Sequence, residues 1–214
     1  MSGDVKRKRP YRSERRREQA EQTRTRILDA AGELFVDGGF AGTSVAAIAG
    51  RAGVSGETVY QAFGSKPALL DALVRRAARL DDEAPIPEQA GPRAVVAEHD
   101  QRTQLQLFAA DIVRRLERVG PLMRVVDAAA VSAPAIAELQ GAIDRARRAG
   151  LAEFVDALSA RGPLAVDRAV AVDTVWALAS SDLQQLLMRR RGWSRTAYTT
   201  WLAESLARIL LPPG

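Results

Sequence analysis

The sequence predicts an all-α protein of about nine helices, with a three-helix N-terminal head and a six-helix body. Two observations favour this fold class. Apolar residues recur at helical spacing from about residue 23 onward, and no segment alternates apolar and polar residues as a strand does. One acidic, proline-rich segment, residues 81–93, interrupts the pattern, so we expect a loop and a domain boundary there.

Composition narrows the class of protein. The chain has 214 residues, no cysteine, one histidine and 47% apolar residues, as is ordinary for a soluble globular protein. No window approaches the roughly 18 uninterrupted apolar residues of a membrane span, and the start lacks the apolar core of a signal peptide. We therefore expect a cytoplasmic chain with no membrane partner. With no thiolate and one imidazole, we expect neither a metal site nor a cofactor.

Positive charge is concentrated at the amino terminus. Residues 1–26 hold ten Lys or Arg and four Asp or Glu, so this segment carries the whole +5 excess of the chain. Residues 1–22 contain almost nothing apolar, which predicts a basic, largely disordered arm, although residues 13–22 are able to extend the first helix. A basic segment beside a neutral body indicates contact with a polyanion through residues such as Arg7 and Arg9; the alternative is a solvated tail.

The head is expected over residues 23–66. Its first helix runs from about residue 23 to residue 37, because apolar residues share one face there. A second helix has its own apolar stripe and ends at Gly53, where a positive φ is expected. Ser55 then caps a third, short helix, whose Val59 and Phe63 are expected to be buried. Helix, glycine turn and capped helix form a helix-turn-helix pattern. The apolar positions of the first two helices are Ile27, Ala31, Leu34, Phe35, Val45, Ile48, Ala49 and Ala52.

This ordered stretch closely resembles the DNA-binding domain of TetR-family transcriptional regulators. The residues that carry the resemblance are Thr43, Ser44, Ile48, Ala49, Ala52, Gly53, Val54, Ser55, Thr58, Tyr60, Phe63, Ser65, Lys66, Leu69 and Leu70. Upstream, Ile27, Ala31, Leu34, Phe35, Gly38, Gly39 and Phe40 look like the family's first helix and the corner after it. The resemblance implies a homodimer that binds a double-stranded DNA operator and responds to a small-molecule effector of unknown identity.

Several residues of the head are candidates for DNA contact. The resemblance assigns phosphate contacts to Tyr60 and Lys66, for which the alternatives are a surface tyrosine and a solvated lysine. Gln61 is able to pair with adenine and Glu57 to accept from cytosine, although Glu57 at the helix start has a simpler role beside the helix dipole. The full candidate set is Arg7, Arg9, Arg24, Arg26, Thr43, Ser44, Ser55, Gly56, Glu57, Thr58, Tyr60, Gln61 and Lys66.

The body is expected to begin after a linking helix at residues 67–80 and to span residues 94–214. Glycine and proline breaks place its helices near residues 94–119, 121–131, 134–160, 166–190 and 195–211. Some of its apolar residues are expected to line an effector pocket, although plain core explains most of them. These candidates are Leu105, Phe108, Ile112, Met123, Val126, Phe154 and Trp176.

The last two helices carry broad apolar faces, which predict a dimer bundle; a core-only explanation is the alternative. The candidate interface residues are Val175, Leu183, Leu187, Tyr198, Trp201, Leu202, Leu206 and Ile209. These features together predict a dimeric repressor that a small molecule releases from a palindromic operator. An alternative is a DNA-binding regulator whose body binds a protein partner or no effector. A helical-bundle enzyme is disfavoured, because the chain has one histidine and lacks cysteine and a glycine-rich phosphate loop.

Overall fold

The computed structural model describes the backbone of residues 9–213 and the side chains of residues 15–213. Clustering of contacts divides the chain into two compact units, Met1–Leu73 and Val74–Gly214. All regular secondary structure in the described range is helical, which confirms the expected all-α class. None of the helices in that range is long and apolar enough to cross a membrane.

Ten α-helices, a 3₁₀ turn and a π-helix make up the described chain. They are α1 (Arg9–Gly42), α2 (Val45–Ala52), α3 (Gly56–Phe63), α4 (Lys66–Ala78), the 3₁₀ turn (Ile86–Glu88), α5 (Ala90–Ala97), α6 (Gln101–Ala130), α7 (Pro134–Ser159), α8 (Arg168–Leu178), α9 (Ser181–Gln185), the π-helix (Leu186–Arg190) and α10 (Arg195–Leu210). Nine of the α-helices have eight residues or more, and the π-helix continues the five-residue α9.

The basic arm differs from expectation. Because α1 begins at Arg9, most of the segment expected to be disordered is helical. Its arginines, glutamates and glutamines are good helix formers and continue the first helix without a break. At the other end of α1, Gly39 has φ 69° and ψ 172°, so the helix is interrupted at the predicted glycine corner.

The body helices also divide differently. The expected helix at 94–119 is two helices, and Asp100 caps the second by accepting from the Thr103 backbone N–H at 2.8 Å. No break occurs at Pro121, which lies inside α6 with buried residues on both sides. The expected helix at 166–190 is split, because Ser180 caps α9 by accepting from the Leu183 N–H at 3.2 Å. Short polar residues therefore created helix starts that glycine and proline positions did not reveal.

The head core forms where α1 packs on α2 and α2 packs on α3. Ile27, Phe35 and Ile48 are fully buried there, as are Leu69 and Leu70 of α4. Burying each such side chain contributes roughly 1.5–3 kcal/mol, which is how helices as short as α2 and α3 are held in place.

The body core lies mainly between α6 and its neighbours α7 and α10, with α8 packed on α7 and α10. Its fully buried members include Leu105 of α6, Leu158 of α7 and Leu202 of α10. The carboxyl end of α4 also lies in this unit. Arg115 of α6 donates to the Ala78 carbonyl oxygen at 2.6 Å and to Asp111 Oδ2 at 2.6 Å. A buried ion pair on α6 therefore caps the end of α4.

Candidate nucleic-acid interface

Local sequence rules explain the helix-turn-helix. Ser44 caps α2 by accepting from the Ala47 backbone N–H at 3.0 Å, and Ser55 caps α3 by accepting from the Thr58 N–H at 3.1 Å. Between them, Gly53 has φ 67° and ψ 39°, the left-handed conformation expected of a residue that ends a helix. The turn between the two helices is therefore set by residues that the sequence identifies.

Thr43 does not contact solvent as a DNA-binding hydroxyl would. Its side chain is buried, with 4% of its surface exposed. Its Oγ1 lies 2.9 Å from the Leu34 carbonyl oxygen and 2.8 Å from that of Gly39, so the hydroxyl donates inside the corner between α1 and α2. This placement corrects the expectation that the Thr43 hydroxyl contacts phosphate. Ser44, the next residue, is exposed at the start of α2.

Lys66 also makes hydrogen bonds within the head. Its Nζ donates to the Phe40 carbonyl oxygen at 2.9 Å and to that of Thr43 at 3.0 Å, and it lies 4.2 Å from the centroid of the Phe40 ring. The side chain is half-buried, and two of its three N–H donors are used. It is therefore not the solvated lysine that was the alternative, and its phosphate contact stays a prediction.

Arg24 makes a similar contact at the other end of α3. Its Nη1 donates to the Ala62 carbonyl oxygen at 2.8 Å, and its guanidinium carbon lies 4.2 Å from the centroid of the Phe63 ring. Arg24 therefore caps the carboxyl end of α3, and the phosphate contact expected of it stays a prediction. Arg26, two residues on, is exposed and donates only weakly, at 3.3 Å, to Thr23 Oγ1.

The outer side of α3 carries the remaining candidates. Tyr60 is 54% exposed. Gln61 Nε2 donates to Glu57 Oε1 at 3.2 Å, so these two side chains lie side by side along the helix. Thr58 Oγ1 lies 2.9 Å from Ser55 Oγ. The second N–H and the carbonyl oxygen of the Gln61 amide remain available to a base.

These residues border an open depression on the head. Five of the nine residues that line it are Gly, Ala or Ser, so a partner's backbone is able to approach the helices closely there. A Cβ added at Gly56 or at Gly50 would meet nothing within 4 Å outside its own helix backbone and chain neighbours. The lining residues are Ser44, Val45, Ala46, Ala49, Gly50, Val54, Gly56, Tyr60 and Lys66.

The helical start of α1 supplies the exposed cations nearest in sequence to the head. Arg16 and Arg17 are exposed on its second and third turns. Arg7 lies outside the described residues, and Arg9 is described only as the first residue of the α1 backbone.

Comparison with known proteins identifies this head. A family model described as bacterial regulatory proteins, tetR family, matches residues 27–73. The HTH-type transcriptional regulator UidR of Escherichia coli strain K12 is 45% identical over 56 residues. Residues 27–73 of the chain therefore belong to the TetR family. The aligned part covers 26% of this chain and 29% of UidR, so the similarity to UidR concerns only the head. A TetR-type head agrees with the expectation that the chain is not an enzyme.

Solved structures extend the similarity over the rest of the TetR-family fold. NalD, the secondary repressor of the MexAB-OprM multidrug efflux pump in Pseudomonas aeruginosa, superposes with a TM-score of 0.67 at 23% identity, covering 91% of this chain and 100% of NalD. SmeT in complex with triclosan superposes with a TM-score of 0.69 at 20% identity, covering 90% of this chain and 93% of SmeT. At these identities the likeness shows a shared fold.

In the body of the chain, the predicted pocket residues are mostly core. Phe108 stacks on Phe154 with 3.9 Å between ring centroids, and Leu105 and Val126 are fully buried. Ile112 and Met123 are half-buried. Trp176 is 38% exposed on the surface of α8, so the structure does not place it as a pocket wall.

Four of the eight predicted dimer residues are buried in the core of the body, which leaves these four little surface for a partner; the dimer interface stays a prediction. Tyr198 is fully buried, and its hydroxyl donates to the Leu178 carbonyl oxygen at 3.1 Å. Of the predicted set, Ile209 is exposed. The buried members are Val175, Tyr198, Leu202 and Leu206, and the half-buried ones are Leu183, Leu187 and Trp201.

Sequence reasoning missed two groups of surface residues. Ala46 and Gly50 line the depression but have no polar atom in their side chains, so only their small size signalled close approach. Val170 is exposed on α8, as is Trp176. An exposed apolar residue is hard to recognise on a helix that also has a buried apolar stripe, because both kinds of residue look alike in the sequence.

Proposed function

We propose that this TetR-family chain is a homodimeric, cytoplasmic repressor that binds a two-fold symmetric operator through α2 and α3 and leaves it when a small molecule binds the body. The observation that carries the first half is the outer side of α3, where Tyr60, Gln61 and the open Gly56 lie together beside the exposed Ser44. Short polar side chains and bare backbone suit an element that enters the major groove.

The roles within the head divide between phosphate and base contacts. The Tyr60 hydroxyl and the Ser44 hydroxyl at the start of α2 donate to phosphates, and the orphan N–H groups of the first turn of α2 add to the Ser44 contact. Gln61 reads adenine while Glu57 orients its amide. Thr43, Lys66 and Arg24 act indirectly, because they hold α2 and α3 in place for these contacts.

Dimerisation uses exposed apolar residues of α8 and α10. Val170 and Trp176 are exposed on α8, and Ile209 is exposed on α10. A second copy of the chain that covers these side chains removes apolar surface from water. Two heads held about 34 Å apart, one turn of DNA, then read the two halves of a palindrome.

Two observations support release by a small molecule: the properties of two proteins of similar fold, and a hydrogen bond between α6 and the carboxyl end of α4. NalD is a repressor, and SmeT has been solved with triclosan bound. In this chain, Arg115 of α6 donates a hydrogen bond to the carbonyl oxygen of Ala78, the last residue of α4. A ligand that shifts α6 therefore acts on α4, whose amino end starts in the head unit. It releases DNA only if it binds more tightly to the conformation that DNA disfavours.

DNase I footprinting with DNA flanking the chain's own gene tests this function. We expect the full chain to protect a palindromic site, and Tyr60→Phe to weaken protection about tenfold, the worth of a hydrogen bond to a charged group. Because Tyr60 is exposed, its thermal midpoint should stay within a degree or two of the wild type. Lack of protection of any palindrome at modest salt would refute the proposal.

A further inference from the structure

One buried side chain in the body lacks a hydrogen-bond partner. Gln104 of α6 has no exposed surface, and its Nε2 donates to the Val95 carbonyl oxygen of α5 at 2.9 Å. Since a carbonyl oxygen only accepts, the amide nitrogen must face Val95, and this fixes the other amide atom as the oxygen. No donor in the described chain reaches Gln104 Oε1.

An orphan acceptor at this depth is costly. A buried polar atom without a partner costs about 1–3 kcal/mol, so native proteins seldom keep one unless something else supplies the bond. Gln104 is at the same time held firmly by Val95, so its oxygen is presented in a fixed direction. A donor on a bound molecule would therefore satisfy the Gln104 oxygen without moving the side chain.

The neighbouring turn of α6 adds an aromatic surface. Phe108, four residues on and on the same face, stacks on Phe154 of α7 at 3.9 Å between centroids and 10° between planes. Aromatic pairs usually lie about 4.5–7 Å apart, so these two rings are closer than they prefer. A flat ring that separates them would gain two aromatic faces and relieve this close stack.

The charges near these residues are already paired. On the following turns of α6, Arg115 Nε donates to Asp111 Oδ2 at 2.6 Å, and both side chains are buried. An ion beside Gln104 would find no free countercharge there, and a buried unpaired charge is strongly unfavourable. The residues around the orphan oxygen therefore favour a neutral ligand.

We propose that Gln104 Oε1 is the polar anchor of the effector site, and that the effector is a neutral, flat aromatic molecule that donates one hydrogen bond, as a phenol does. The phenol ring lies against Phe108 and Phe154, and its O–H donates to Gln104. This inference rests on the effector-binding half of the proposed function, and it names a ligand class and a specificity-determining residue for it.

Two probes that differ by one O-methyl group, which removes the hydrogen-bond donor, test the inference. 2-Naphthol and 2-methoxynaphthalene are flat and neutral at pH 7, but only the first donates a hydrogen bond. By isothermal titration calorimetry with the full chain, we expect 2-naphthol to bind about tenfold more tightly, since the ether leaves Gln104 unpaired. Gln104→Met, close in volume, should bind the two probes equally. Gln106→Met, the same change at an exposed position of α6, should keep the preference.

Each other outcome overturns the inference. Equal binding of the two probes by the wild type would mean that a buried water serves Gln104. A preference that survives in Gln104→Met would place the anchor elsewhere, and no binding of either probe would exclude the ligand class. Circular dichroism and operator gel shifts on the same samples show whether each variant is folded. If operator binding persists while the probe result fails, only this inference falls; loss of wild-type operator binding would refute the proposed function.

Discussion

Arg24 of α1 donates a 2.8 Å hydrogen bond to the carbonyl oxygen of Ala62, the penultimate residue of α3. Its guanidinium also covers the ring of Phe63, the last residue of that helix. The carboxyl end of a helix carries partial negative charge and unpaired carbonyl groups, so a cation there is favourable. Arg24 thus fixes the short helix α3 to α1 through the end of α3 remote from Ser55.

The first prediction compares Arg24 with Arg26. Arg24→Met should lower the free energy of unfolding by roughly 1–2 kcal/mol, because the carbonyl cap and the ring contact are lost together. Operator binding should weaken as a consequence. Arg26→Met removes the same charge from an exposed side chain, so its stability should stay within about 0.5 kcal/mol of the wild type. Urea unfolding and gel shifts measure both effects; equal stability of the two variants would contradict the role of Arg24.

The sequence predicted local features of the head better than its tertiary contacts. Gly53, Ser44 and Ser55 were identified because a cap or a left-handed glycine depends on residues within one turn of chain. The family resemblance assigns Lys66 to DNA, and Thr43 is a candidate because it precedes α2; position along the chain does not show which helix-end carbonyl groups need a donor. Those groups come together only when α1 and α2 meet at the Gly39 corner.

In the body, the sequence does not predict which side of an apolar helix is exposed. The helix of Tyr198 is apolar on more than one side, and its sequence does not distinguish the side that faces the core from the side that faces out. The all-α class was predictable because helical periodicity is strong in every segment. The exposed apolar residues were not predictable in the same way, since their position depends on which apolar side chains the monomer buries, and Val170 and Ile209 are exposed.

The second prediction concerns Gly56. A Cβ at Gly56 meets no neighbour, so Gly56→Ala should raise the free energy of unfolding through helix propensity. The gain should be at most about 0.5–1 kcal/mol, the value for a helix interior, because Gly56 lies in the first turn of α3. If DNA backbone approaches this position closely, operator affinity should fall although stability rises. Gly150→Ala, at an equally open position within α7, is the control and should raise stability without changing operator binding. Unchanged affinity in Gly56→Ala would show that DNA stays clear of the start of α3.

The third prediction concerns the helical start of α1. Arg16 and Arg17 are exposed there, and each phosphate contact contributes about 0.9 to the log–log slope of affinity against salt concentration. The double variant Arg16→Gln/Arg17→Gln should therefore weaken binding to all DNA and flatten this slope by up to about two. Fluorescence anisotropy across a salt series measures it. The exposed pair Arg189→Gln/Arg190→Gln in the body removes the same charge and serves as the control; identical slopes in all three proteins would show that the arm does not bind phosphate.

The fourth prediction tests the revised dimer face. Ile209→Glu places a charge on an exposed position of α10, and burying it in an interface should raise the dimer dissociation constant by at least about thirtyfold. Analytical ultracentrifugation should then show monomers, and operator affinity should fall because two heads are needed. Val96→Glu alters a residue of α5 that is even more exposed, and it should leave the dimer intact. If Ile209→Glu remains dimeric, the interface lies elsewhere on the body.

The fifth prediction follows from the buried hydroxyl of Tyr198. Burial disfavours its phenolate and raises the pKa of Tyr198 to about 12, above the ordinary value of 10.0. Between these two values the unfolded chain loses the proton first, so stability should fall as pH rises above about 10, by up to roughly 2–3 kcal/mol near pH 12. Tyr198→Phe removes this titration and the hydrogen bond to the Leu178 carbonyl oxygen together. The variant should be less stable at pH 8 and lose less on going to pH 11 in denaturant unfolding. Parallel pH profiles for the two proteins would show that the Tyr198 hydroxyl is not buried in solution.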